Sequence, residues 1–373
     1  MAGWSNVKSN HFLFLTTLES PLNKGGSEVV CKYRWLLTLN ISIMNQSKTT
    51  LQDVLFLRCL AVISLVAWHS YCSYICWGYG NSPLDGAYTK LFSFLTPDAN
   101  MPLFTFLAGY LFCFLLRKKQ KYQEFKPFLK NKVHRLLIPF LVLGTLTNLT
   151  QVNRNFLPEM FYGKPSHLWY CLMLFYCYIA CWLIEKRGQK YNIAAMCVSM
   201  AVVIALGKGA LGPNVPFGLF LPVYYYCYFY IGYLVFHYKE NFLRFMKKYW
   251  MVVFLGYGAL SILDKSHLIL IHSLSYISLL LFVFNSGGAN SAKLSQDRLL
   301  TRVVNSIAKC SMGIYVFHQW IIWNITRPQF LHNFIHERYI IFPLLCGILI
   351  FLLSWLMTHL LTKYTRVGRY LLL

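Results

Sequence analysis

Residues 57–71 read "LRCLAVISLVAWHSY", a run apolar enough for the interior of a membrane that nevertheless carries Arg58 and His69. The two are eleven residues apart, which at 100° per residue is about 20° past three full turns, so they share one face of a helix. Along the axis they are about 16 Å apart at 1.5 Å per residue. Ionisable side chains are expensive in hydrocarbon and face a bundle interior or a water-filled cavity when they occur there. Taken singly, Arg58 reads as a snorkelling anchor and His69 as a partner in an interhelical hydrogen bond. Their common face favours one cavity, with a cation near its mouth and an imidazole in its depth.

The rest of the chain fits this reading. It has 373 residues, 57% hydrophobic and 13% charged, against about 25% charged in soluble proteins. Apolar runs recur to the end, near the ~20 residues that cross a ~30 Å hydrocarbon core. They predict about ten transmembrane helices, over 54–75, 99–116, 136–152, 168–184, 191–207, 217–237, 250–263, 268–285, 307–325 and 340–362. The expected fold is therefore an all-α polytopic membrane protein. A transmembrane barrel would show short alternating segments instead.

The net charge of +23 raises nucleic acid as a partner, but its distribution argues for a lipid bilayer. Connecting segments on one side hold 23 Lys/Arg, eight of them in 117–135, and those on the other side hold seven. By the positive-inside rule both termini are expected in the cytoplasm. Residues 1–48 are polar and aperiodic, with Met44 a plausible natural start, and form an N-terminal extension to a membrane domain over 49–373. The segment 285–298 reads as a flexible linker, and 117–135 as an interfacial helix with Phe125, Phe128, Leu129 and Val133 toward lipid. The twelve cysteines fall mainly in spans, where they act as small apolar residues, and Cys72 with Cys76 reads as helical stacking. The sequons at Asn40, Asn45, Asn148 and Asn324 carry little weight. No metal-ligand spacing and no G-x-S-x-G nucleophile elbow is present.

Several motifs then fall in one order: "LQDVLFLRCLAVISLVAWH" (51–69), "NMPLFTFLAGYLF" (100–112), "FLKNKVHRLLIPF" (128–140), "SHLWYCLMLFYCY" (166–178) and "CSMGIYVFHQ" (310–319). Arg or Lys, ten residues and His in the first membrane helix, followed by these stretches, resembles the acyltransferase-3 family of integral membrane O-acyltransferases, specifically its cell-envelope polysaccharide O-acetyltransferase type. The resemblance spans about 48–365. One departure is the approach to the third helix, where Lys130 and Lys132 stand in a usually arginine-rich segment and only Arg135 adjoins the helix. Lysine is the poorer bidentate phosphate ligand.

The resemblance implies transfer of an acyl group, most commonly acetyl from cytosolic acetyl-CoA, to a hydroxyl of a cell-surface polysaccharide or its lipid-linked precursor. It places the protein in the cell's inner membrane. His69 would be general base or acyl relay, with Arg58 beside it. Arg135, Lys132 and Lys130 would meet the phosphates of the co-substrate. His167, Trp169 and Tyr170 read either as an aromatic interfacial anchor or as an acceptor platform, and His318 either as packing or as a wall of the site. His272 and His359 read as structural, Gly109 as permitting close helix approach, and "YYYCYFY" (224–230) as core. The competing reading is a transporter or flippase of a polysaccharide intermediate, since intramembrane His and Arg also serve transport paths. Few intramembrane carboxylates and no internal repeat speak against it.

Overall fold

The apolar runs fold as helices. A computed structural model describes residues 54–71, 100–150, 156–207, 214–263, 267–286, 298–326 and 341–372, and no strand occurs among them. The N-terminal extension with Met44, the Cys72/Cys76 pair, the sequons at Asn40 and Asn45 and most of the 285–298 linker lie outside the described residues.

The helices are α1 (Val54–Tyr71), α2 (Asn100–Lys118) and α3 (Phe125–Thr150). After the short α4 (Phe156–Phe161) come α5 (Trp169–Arg187), α6 (Gln189–Leu206), α7 (Phe220–His237), α8 (Lys239–Ile262) and α9 (Ile269–Ser286). The chain closes with α10 (Arg298–Thr326), α11 (Ile341–Tyr364) and α12 (Arg366–Leu372). Each of the ten apolar runs falls on one of these helices. Six helices among the described residues are long and apolar enough to cross a membrane: α1, α2, α3, α6, α11 and the helix that ends in α7.

Several helices outrun their apolar stretches. α8 takes in Lys239, Arg244, Lys247 and Lys248, and α10 takes in Arg298, Arg302 and Lys309. Backbone groups are best satisfied by continued helix even where side chains turn polar, so hydropathy marks the hydrocarbon and not the helix ends.

α2 and α7 form the tightest helix pair. A Cβ at Gly109 would collide with the backbone carbonyl of Phe229, and one at Gly232 with that of Phe106. The two contacts are reciprocal in an antiparallel register, so the pair closes to backbone distance at two points, as small residues permit. Around it packs an aromatic core that includes Phe112, Phe128, Tyr178, Tyr224, Phe229 and Tyr233. The "YYYCYFY" run is wholly buried.

α1 runs through the middle of the bundle. Leu57 and Ala61 pack with α2 and α9, Leu65 with α3 and α5, and Val62 and Val66 with α10 and α11. Ser64 Oγ donates to Asn100 Oδ1 at 2.7 Å, a buried bond that fixes α1 against the start of α2. Eight of the nine described cysteines are buried and all nine are free.

The 117–135 segment corrects the interfacial-helix expectation. α2 carries on to Lys118 through a π-turn over Phe114–Lys118, and α3 already begins at Phe125. Phe128 is fully buried, its ring 5.8 Å from and nearly parallel to that of Trp182. The apolar face predicted to meet lipid instead meets protein at Phe128. Burying an aromatic side chain among other rings gains packing that lipid contact would not.

Candidate functional site

Two adjoining cavities lie within the bundle among the described residues. The first, of about 230 Å³, is lined among others by Arg58, Lys132, Arg135, Tyr170, Tyr178 and Ser311. The second, of about 480 Å³, is lined among others by Trp68, His69, His167, Trp169, Tyr225 and Tyr228. Met101 and Tyr315 line both, so they form a shared wall.

The first cavity owes its charge to α1 and α3. Arg58 donates from Nη2 to Ser311 Oγ of α10 at 2.6 Å. Lys132 is buried, with Nζ 3.3 Å from the centroid of the Tyr178 ring and 5.1 Å from that of Tyr122. A buried ammonium is costly, and the ring faces offset part of that cost. Arg135 sits in a π-turn over Val133–Leu137. The turn has a local cause: Pro139, four residues on, has no N–H for the Arg135 carbonyl and its ring crowds that carbonyl. The widened turn changes the angle at which Arg135 leaves the helix. Three cations line this cavity and none of its lining residues is Asp or Glu. The C-terminal α12 completes the wall with Tyr370, Leu371 and Leu372, the Tyr370 ring lying edge-on 3.8 Å from that of His134.

Two histidines from two helical segments, His69 and His167, line the second cavity, and a third, His318, is bonded to His69. His69 Nδ1 lies 2.7 Å from His318 Nε2. His318 is fully buried, and its Nδ1 lies 3.0 Å from the carbonyl oxygen of Ile314 one turn earlier. His167, in a single turn of 3₁₀-helix before α5, has Nε2 3.1 Å from the Val316 carbonyl, and its ring is 5.4 Å from that of His318. The Tyr315 hydroxyl donates to the His167 carbonyl, which ties α10 to the entry of α5. Trp169 faces Tyr225 at 5.5 Å. Among the described residues no group of His, Cys, Asp or Glu is disposed to hold a metal.

The sequence-expected residues therefore divide. Arg58, Lys132, Arg135 and Tyr170 come together at the first cavity. His69, His167 and Trp169 come together at the second, with His318 bonded to His69. Lys130 is exposed and not on either wall. His272 bonds Ser261 at 2.9 Å and stacks on Tyr257, and His359 stacks on Trp355, both away from the cavities.

Sequence reasoning missed Ser311 and Tyr315, and read Tyr225 and Tyr228 as core with hydroxyl contacts open to them but no catalytic part. The signal for the first two was present. Positions 311, 315 and 318 are spaced four and three apart, which puts Ser311, Tyr315 and His318 on one stripe of a helix. The α1 and α10 stripes also match each other. Arg58 to His69 rises about 16 Å and Ser311 to His318 about 10 Å, and the extended arginine side chain spans the difference.

Fold and cavities define a helical membrane protein with a cationic and a histidine-lined chamber back to back. The family model of the acyltransferase domain of the acyltransferase-3 type matches residues 52–359. The chain belongs to the acyltransferase-3 family and is a multi-pass membrane acyltransferase. No curated protein and no solved structure matches it.

Proposed function

We propose that this protein transfers an acyl group, most readily acetyl, from cytosolic acyl-CoA to a hydroxyl of a cell-surface polysaccharide or its lipid-linked precursor. The observation that carries the reading is the shared wall of Met101 and Tyr315 between a cavity lined by Arg58, Lys132 and Arg135 and one lined by His69. A cation-lined chamber without carboxylates suits the phosphates of a CoA donor. A chamber lined by Trp68, Trp169, Tyr225 and Tyr228 suits a sugar ring, which binds over aromatic faces and to phenol hydroxyls.

The protein in this reading spans the inner membrane ten times with both termini in the cytoplasm. That puts Arg58 and Arg135 on the cytoplasmic side and His69 toward the outer side. The thioester carbonyl reaches the Met101–Tyr315 wall, and the acceptor hydroxyl approaches from His69. His69 takes the hydroxyl proton as the oxygen attacks the carbonyl. The C–O bond forms, the C–S bond breaks, and the CoA thiolate recovers the proton from the imidazolium. In the relay variant His69 first accepts the acyl group, releasing CoA, and the sugar hydroxyl then displaces the imidazole.

The test compares cells with wild-type protein and a His69→Ala variant at matched membrane levels. O-acyl groups on the surface glycan are measured by NMR or mass spectrometry. The expected result is loss of acylation with glycan export intact. Persistent acylation with failed export would mean that the histidine belongs to a transport path.

A further inference from the structure

His318 lies outside the helix that carries the first histidine, yet it is hydrogen-bonded to that histidine. A carbonyl oxygen only accepts, so the 3.0 Å contact with Ile314 puts the proton of the neutral His318 ring on Nδ1. Its Nε2 is then an acceptor. The 2.7 Å contact with His69 needs one donor, so His69 carries its proton on Nδ1 and its basic lone pair on Nε2. The two rings lie within 16° of parallel with centroids 4.9 Å apart, which constrains the His69 ring plane as well as its tautomer. His318 is itself held rigidly, fully buried and anchored to its own helix.

We propose that His318 is a positioning residue: through its hydrogen bond it holds His69 in the Nδ1–H tautomer, so that Nε2 is the atom that takes the acceptor proton. This rests on His69 as the base of the reaction. The logic is that of an orienting group behind a catalytic imidazole, in which the partner on one nitrogen decides what the other can do. The orienting group here is neutral. When His69 gains a proton at Nε2, its Nδ1–H continues to donate to His318 and that bond becomes charge-assisted.

The test reads the tautomer directly. Full-length protein labelled with ¹⁵N-histidine is placed in lipid nanodiscs, and two-bond ¹H–¹⁵N spectra assign the His69 tautomer, its signals being identified by their loss in His69→Gln. The wild type is expected as the Nδ1–H form. His318→Leu removes the acceptor and is expected to give mixed tautomers and a fall in acyl transfer of roughly 10- to 1000-fold. His318→Gln offers a carbonyl to the same Nδ1–H and is expected to retain the tautomer and much of the rate. A merely structural role for His318 would not move the tautomer. A wild-type His69 in the Nε2–H form, or an unchanged tautomer in His318→Leu, overturns the proposal. If His318→Leu does not fold, the wild type and His318→Gln still decide it. Failure of the underlying reading looks different: His69→Gln would keep full transfer whatever the tautomer.

Discussion

At the scale of single residues, Lys132 shows what a charge can mean inside a bundle. Its sequence neighbours Lys126 and Lys130 are exposed, whereas Lys132 is buried over the Tyr178 ring. No carboxylate lines the cavity beside it, and in the proposed reaction this side chain meets the phosphates of the donor. Replacing it by methionine keeps the length and the ring contact and removes the charge. Lys132→Met is expected to weaken acyl-CoA binding by about tenfold or more, ~1.4 kcal/mol, with thermal stability nearly unchanged. Calorimetric titration of acyl-CoA into the purified protein checks this, and unaltered affinity would remove Lys132 from the donor site. Lys130→Met, at an exposed position off the cavity, is expected to leave affinity as it is.

At the scale of elements, α2 and α7 hold both cavities in place, because α2 carries residues of both and α7 supplies Tyr224, Tyr225 and Tyr228 to the second. Gly109→Leu puts side-chain atoms where the Phe229 carbonyl lies, so the helices must separate. The expected cost is about 2–4 kcal/mol, in the range of core overpacking, seen as a clear fall in Tm in detergent. Gly258 of α8 has open space around its missing Cβ. Gly258→Ala is expected to be neutral or to stabilise by up to about 1 kcal/mol through helix propensity. Equal effects at the two glycines would refute the packing account. The π-turn before Pro139 offers a second handle. Pro139→Ala restores a backbone donor to the Arg135 carbonyl, so it should raise Tm while weakening acyl-CoA binding as Arg135 turns away from the cavity. Binding unchanged by the substitution would show that the turn does not aim Arg135.

At the scale of the whole molecule, one end of the bundle is tied by a polar hub. Glu185 of α5 accepts from Arg117 of α2, from the Tyr233 hydroxyl of α7 at 3.1 Å and from Asn192 of α6 at 2.9 Å. Arg117, Lys132 and Arg135 belong to the basic 117–135 segment that the proposed topology puts in the cytoplasm. Single cysteines make the orientation measurable against a background in which eight of nine described native cysteines are buried. Lys130→Cys is expected to react with a membrane-impermeant thiol reagent only in inverted vesicles, and Lys164→Cys only in intact cells stripped of their outer layers. Labelling of both from one side would overturn the assigned topology.

Much of this architecture was legible in the chain itself. Each of the ten apolar runs foretold a helix, six of the described helices being long and apolar enough to cross a membrane, because hydropathy acts locally and each run contains its own signal. The Arg58–His69 face followed from helical period alone, and the ordered motifs pointed to the acyltransferase-3 family that the match over 52–359 then established. The helix ends were not legible, since helices continue past the hydrocarbon into charged segments. Nor could the chain show that its two marked residues serve different chambers, that Lys132 turns inward while Lys130 stays out, or that His318 stands behind His69. Those facts are pairings between positions up to 253 residues apart, such as Arg58 with Ser311. Periodicity assigns a residue to a face of its own helix. Which other helix meets that face is decided by packing among all the helices at once, and only the tertiary structure holds that information.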